Sequence, residues 1–233
     1  MLLALEIPHF IGYDNPEVNA GNMHTTGYDI EVGWRDKVGD FTYSISANLS
    51  DFTSKMGNLN GTQFLGNQVK MEGSEYNEWY GYVSDGLFLT QEDVDKSPKL
   101  NNSVKVGDIK YKDVNNDGVI NSNDMIPMGY NSVWPEIYYG FNVGLEWKGL
   151  GFNAYFQGVG NYTAWLTSSV YRPLINNTSI SQYAYENRWT PENPNARFPR
   201  LTTENVENNT QSSSVWLQDR SFLKLRNCEV YYK

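Results

Sequence analysis

Hydrophobic and polar positions alternate strictly over several stretches of the chain. In 28–35, Tyr28, Ile30, Val32 and Trp34 share one face, and Asp29, Glu31, Gly33 and Arg35 the other. After a turn at 36–40, Phe41, Tyr43, Ile45, Ala47 and Leu49 alternate with Thr42, Ser44, Ser46, Asn48 and Ser50. Period-two patterning of this regularity predicts two strands joined as a hairpin. The pattern returns at 137–147, where Ile137, Tyr139, Phe141, Val143, Leu145 and Trp147 oppose Tyr138, Gly140, Asn142, Gly144 and Glu146. A tight turn at 148–151 leads into a strand over 151–160, with Phe152, Ala154 and Phe156 on its apolar face. A last strand is predicted from about Val215 to Tyr232. Its apolar phase changes between Leu225 and Cys228, so one extra residue, a β-bulge near Arg226-Asn227, is needed to restore a single face. Between these strands, 57–135 and 166–214 read mostly as polar loop, with strand-like pieces at Tyr80–Leu89 and Asp108–Lys112 and a short helix at Ser181–Trp189.

The strands predict an all-β, antiparallel chain but leave two architectures open. A soluble sandwich also alternates apolar-in and polar-out. Short turns alternating with very long loops fit a transmembrane β-barrel fragment better, with the short turns periplasmic and the loops 57–135 and 166–214 extracellular. Aromatics near the ends of the apolar faces (Tyr28, Trp34, Phe41, Trp147) suit interfacial girdles, and Asp29, Glu31, Arg35 and Glu146 opposite them suit a wet lumen.

Composition narrows the function classes. The net charge of -9 argues against nucleic acid as a partner. A single cysteine, Cys228, excludes an internal disulfide framework and cysteine-based zinc sites. No apolar run is long enough for a membrane-spanning helix, which says nothing against a barrel. Met1–Pro8 lacks the features of a signal peptide, and both ends read as cut, so that 1–233 is expected to be a fragment of one barrel domain.

One stretch carries metal chemistry. Asp113-Val114-Asn115-Asn116-Asp117-Gly118-Val119-Ile120-Asn121-Ser122-Asn123-Asp124 spaces oxygen donors as a calcium loop does. Asp113, Asn115, Asp117 and Asp124 supply side-chain oxygens, Val119 its carbonyl, and Gly118 the sharp turn. Position twelve is Asp where Glu is usual, and Pro127 blocks an exiting helix, so the loop is EF-hand-like without being an EF-hand. The alternative is a turn at Asp117-Gly118 that needs no metal. Calcium, if held, is expected to stiffen a loop.

Other candidates are weaker. Glu72, Glu75 and Glu78 are expected to be solvated charges, since nothing in their spacing sets them across a cleft. His9 and His24 are isolated, and no catalytic residues are expected. Trp79, Tyr80, Tyr82, Trp134 and Tyr171 could stack on sugars but more commonly such residues join loops together.

Several motifs, in order along the chain, resemble the SusC/RagA family of TonB-linked outer-membrane proteins. They are Asn19-Ala20-Gly21 with Gly27-Tyr28-Asp29-Ile30-Glu31, then Tyr80-Gly81-Tyr82-Val83-Ser84-Asp85-Gly86-Leu87-Phe88, then Gly107-Asp108-Ile109-Lys110-Tyr111. Trp189-Thr190-Pro191-Glu192-Asn193-Pro194-Asn195-Ala196-Arg197-Phe198-Pro199-Arg200 and Ser221-Phe222-Leu223-Lys224-Leu225-Arg226-Asn227 complete the set. The resemblance implies a plugged barrel of roughly 22 strands in the bacterial outer membrane. It also implies energy from TonB through a part absent here, a SusD-like surface lipoprotein as partner, and oligosaccharide or peptide as cargo. A soluble secreted calcium-binding carbohydrate module is the alternative.

Overall fold

The computed structural model describes residues 2–4, 12, 17–19, 21–59, 61–166, 168, 171, 172, 174, 179–203 and 207–233. His9, Ala20 and most of Met1–Pro8 lie outside them. Near the start, Leu2–Ala4 (β1) pairs antiparallel with Glu17–Asn19 (β2). Met23–Val38 (β3) and Phe41–Met56 (β4) then form a hairpin in full register. The expected turn at 36–40 narrows to Gly39-Asp40, because Gly39 at φ +61° lets a two-residue turn follow the strand twist.

The segment 57–135 is mostly loop, as expected, but it holds more elements than the two strand-like pieces foreseen. It carries Gln63–Phe64 (β5), Gln68–Lys70 (β6), Glu78–Tyr82 (β7), Ser84–Leu87 (β8), Gln91–Lys96 (α1), Ile109–Tyr111 (β9) and Met125–Asn131 (β10). The order β10-β7-β6-β5 makes a four-stranded sheet, and β8 pairs with β9. Pro127 sits in β10, an edge strand, where its missing N–H breaks no interior ladder. Helix α1 starts at Thr90, whose hydroxyl accepts the Asp93 amide at 3.1 Å, and Val94 anchors it beside Phe88 and Val104.

Ile137–Trp147 (β11) and Leu150–Gly160 (β12) form the second long hairpin, closed by Lys148 and Gly149, both at positive φ as a type I′ turn requires. Thr163–Trp165 (β13) pairs with Leu217–Asp219 (β14). Gln182–Glu186 (α2) and Glu207–Thr210 (α3) lie between them, and Phe222–Tyr232 (β15) closes the chain. The single strand expected from 215 is thus broken. A 3-10 turn at Ser214–Trp216 and a kink at Arg220-Ser221 send β14 into one sheet and β15 into another.

The main sheet has the order β15-β12-β11-β4-β3, five antiparallel strands in a meander. The bulge is present: Tyr155 pairs with Asn227 and Phe156 with Leu225, leaving Arg226 as the extra residue. Both tight turns fall at one end of this sheet, since Val38, Phe41, Trp147, Leu150 and Tyr232 share one cross-strand row. Both long connections leave from the other end and meet in one lobe. Tyr82, Ile109, Tyr111 and Ile120 from the first connection and Phe198 and Trp216 from the second form its buried core.

Candidate functional site

The register assembles two unlike surfaces on the main sheet. Val32, Ala47, Phe141, Phe156 and Leu225 lie in one row, and Trp34, Ile45, Val143, Ala154 and Cys228 in the next. Bare apolar side chains dominate this face: Ile30, Val32, Leu225 and Val230 are exposed, as are Trp34 at 66% and Tyr232 at 79%. Cys228 is exposed on the same face. The opposite face reads Gly33, Ser46, Asn142, Tyr155, Asn227 and then Arg35, Ser44, Gly144, Asn153, Glu229. Hydrogen bonds lace this polar side, including Arg226 to Gln157 at 2.9 Å and Lys233 to Glu146 at 3.2 Å. A face this apolar and this open is unusual for a protein surface in water.

The acidic turn at 113–124 forms within the lobe. Ile120 is buried in the lobe core and fixes the turn to it. Gly118 takes φ +84° and Asn116 φ +59°. Asp113 accepts the amides of Asp117 and Gly118 at 3.2 and 2.8 Å. Asn115 accepts the Asp117 amide, and Asp117 accepts the Val119 amide, each at 2.9 Å. The Val119 amide and then the Asn115 side chain hold the Asp117 carboxyl below the usual carboxylate range. Asp113, Asn115 and Asp117 are therefore gathered in one turn. Asp124 is fully buried instead, with one oxygen on the Val114 amide at 2.9 Å and the other on the Asn121 amide at 2.9 Å. Among the described residues, no group of three or more His, Cys, Asp or Glu converges as a metal centre. The donors present are all oxygen, the chemistry calcium prefers. The strands on either side of the turn, β9 and β10, pair with β8 and β7 and not with each other, so the turn does not close a hairpin.

A buried polar hub, invisible as such in the sequence, joins two of the motifs. Asp108 is fully buried and receives Arg200 through Nε at 2.7 Å and Nη2 at 3.3 Å. It also accepts Asn209 Nδ2 and the Lys105 amide, each at 2.8 Å. Asn209 returns a bond to the Ile109 amide at 3.0 Å, and Asn208 donates to the Ile109 carbonyl at 2.9 Å. Gly107, at φ +88°, lies under the Trp189 ring, and any Cβ there would meet that ring at 2.3 Å. The proline-rich segment 189–200 is thereby clamped to 107–109 at both ends.

The expectation of solvated glutamates holds for Glu72 alone. Glu75 is 8% exposed and Glu78 is 4%. Glu78 accepts the Glu75 amide at 2.7 Å and also the Gly129 amide, so it ties the residues before β7 to β10. Glu75 has one carboxyl oxygen buried with no hydrogen-bond partner. Burial, with Glu136 and Glu78 adding against the opposing Lys55, pushes its carboxyl up to about 6. Glu136 is raised as well, first by burial, while Asn131 and Asn161 donate to it. The two glutamates come from residues before β7 and before β11, at the junction of lobe and sheet. Of the aromatics, Trp79 and Tyr82 are buried and unavailable to a ligand, and Trp134 stacks on Tyr76 at 5.3 Å.

No protein-family profile matches the chain. Across 245 aligned positions covering all of the chain, it is 28% identical to the TonB-dependent receptor P26 of Formosa agariphila, and it covers 24% of that relative. Among solved structures, it superposes over its whole length on a chain of the RagAB peptide transporter with a TM-score of 0.69 and 21% identity, covering 25% of that chain. The RagAB peptide importer in its open-open state gives a TM-score of 0.68 at 19% identity, covering 24%, and in its closed-closed state 0.68 at 20%, covering 25%. The structural matches show a shared fold. The chain spans about a quarter of the length of the relatives it matches. These relatives are a receptor and a transporter.

Proposed function

We propose that the chain, similar over its whole length to a TonB-dependent receptor and sharing the fold of a RagAB chain, is a segment of SusC/RagA type that forms part of the wall and part of the surface lobe of an outer-membrane nutrient importer. The observation that carries this reading is the main sheet, apolar and bare on one side and hydrophilic on the other. Lipid covers the first face, and the second lines the lumen. Strands β11, β12 and β15 are each 11 residues long, which matches the roughly 9–11 residues a tilted strand needs to cross a bilayer. An open sheet cannot persist in lipid with free edges, so β3 and β15 pair with further strands of a closed barrel. The tight turns face the periplasm and the lobe faces outward.

In this reading a SusD-like lipoprotein caps the lobe, and TonB supplies energy through a part of the receptor outside this chain. The cargo is an oligosaccharide or a peptide, and the RagAB fold likeness favours a peptide. Calcium is held at the acidic turn by Asp113, Asn115, Asp117 and the Val119 carbonyl, where it stiffens the lobe, and Asp124, expected as a fifth ligand, braces the turn from inside because the Val114 and Asn121 amides occupy its oxygens.

Brominated lipids test the lipid-facing sheet. The full-length receptor is reconstituted into vesicles of dibrominated phosphatidylcholine, and tryptophan emission is compared with that in unbrominated lipid. Trp34 and Trp147 are expected to be quenched, and their loss by substitution with Phe to remove that quenching. A receptor that stays soluble without detergent, with both tryptophans unquenched, overturns the reading in favour of a secreted calcium-binding module.

A further inference from the structure

The main sheet ends at β3, a strand of 16 residues that is exposed along its whole length and pairs with β4 on one side. On its polar face the charges are sorted by sign. Asp29 and Glu31 lie in the half nearer the lobe, Arg35 and Lys37 in the half nearer the tight turn, and Gly33 stands between them. The β4 side does not answer these charges, since the residues opposite are Ser50, Asn48, Ser44 and Thr42. Among the described residues none of the four enters an ion pair. On the three interior strands the same face carries Glu146 as its one charge, already met by Lys233. The start of the chain indicates what lies on the open side. β1 pairs antiparallel with β2, Leu2 facing Asn19, and β2 precedes β3 in the chain. Continued in the same sense, that ladder brings the stretch ahead of Leu2 alongside β3.

We propose that the open edge of β3 is an interface for a strand of inverse charge order: the stretch of the receptor preceding Leu2, running antiparallel, with cations facing Asp29 and Glu31 and carboxylates facing Arg35 and Lys37. Directly opposed charges attract across a strand pair, and like charges repel. The order does what apolar and polar alternation cannot. A slip of one residue is forbidden because it turns every side chain to the wrong face. A slip of two residues keeps the faces and would go unpunished by alternation, but it forfeits half of these pairs. The sorted charges thus pin the register of the wall at this seam. The proposal rests on the sheet being a barrel wall, and it adds the chemistry of the neighbour.

The test exchanges the signs. Glu31→Lys combined with Arg35→Glu conserves net charge, and because Asn48 and Ser44 are neutral, β4 does not sense the exchange. In the full-length receptor refolded into vesicles, the exchange is expected to lower the folding equilibrium constant by about tenfold at low salt, two attractive pairs having become repulsive. Glu31→Gln with Arg35→Gln, which removes attraction without adding repulsion, is expected to cost less. Both losses are expected to shrink at about 1 M salt, where the screening length falls to about 3 Å. An exchanged receptor as stable as the unmodified one overturns the proposal. A second measurement keeps all four charges and decides the matter where the exchange fails to fold. The photoreactive residue benzoylphenylalanine replaces Gly33, where a Cβ meets only Ser46 at 3.9 Å, and mass spectrometry locates the adduct. The adduct is expected in the stretch preceding Leu2, flanked on that strand by Lys or Arg on one side and Asp or Glu on the other. An adduct confined to this chain, or one flanked by neutral residues, overturns it. Neutral flanks refute the charge order and leave the barrel wall standing, whereas unquenched tryptophans in brominated lipid refute the wall itself.

Discussion

Asp108 ties together three separate parts of the lobe through one buried carboxylate. It is fully buried and anionic, and it is met by Arg200, Asn209 and the Lys105 amide. Removing one partner of such a pair leaves the other charge buried, which costs about 3–5 kcal/mol. Arg200→Ala is therefore expected to open segment 189–200 to limited proteolysis and to lower the unfolding midpoint of the lobe, and native-like resistance would refute it. Glu75 gives a residue-scale prediction of opposite character. Its carboxyl binds a proton more tightly in the fold, near pH 6, than the ordinary value of 4.5. Proton binding thus favours the folded lobe. That contribution is complete below about pH 4.5 and is lost as the pH rises through 6. Glu75→Gln is expected to raise lobe stability at pH 7.5 and to flatten its pH dependence between 4.5 and 6.5. Hydrogen exchange across residues 71–78 reads this directly, and an unchanged slope in the variant would exclude Glu75 as its source.

Strands and turns answer to different rules from single residues. On the exposed apolar face, Ile30→Arg puts a cation where lipid is proposed, at a cost of about 2–4 kcal/mol at the membrane midplane. Asp29→Ala, one position away on the polar face, is expected to cost far less. Refolding the full-length receptor into vesicles across a urea series separates the two, and equal costs would mean that the faces are not lipid and lumen. The acidic turn makes a prediction about a whole element. Calcium is expected to raise the unfolding temperature of the lobe, and chelation or Asp117→Asn to abolish the rise, whereas a turn that its amides satisfy fully shows none. The sequence was legible wherever neighbours along the chain decide the outcome. Alternation at 28–50 and 137–157 announced the strands and their faces, and the phase change at 225–228 announced the bulge at Arg226. It was illegible where distant residues decide. Helix α1 has one apolar anchor, Val94, and no periodicity to detect. Burial of Glu75 and pairing of Asp108 with Arg200 depend on which segments meet in space, and nothing local encodes that. The motif 107–111 marked Asp108 as notable without revealing its partner.

At the scale of the molecule, the division of labour follows the two ends of the sheet. One end is closed by the two tight turns at Gly39-Asp40 and Lys148-Gly149. The other gives rise to the lobe, whose core draws on both long connections, with Tyr82, Ile109, Tyr111 and Ile120 from one and Phe198 and Trp216 from the other. Because one core is built from both connections, the two are expected to stand or fall together. The consequence is genetic. A recombination that exchanges only the first connection between diverged relatives joins half of one core to half of another, and the product inherits a mismatched interior. Exchange of both, with the strands between them left in place, carries an intact core across. Variation in the lobe is then expected to travel as linked pairs of segments far apart in the gene, and a donor's Asp108 to arrive with that donor's Arg200.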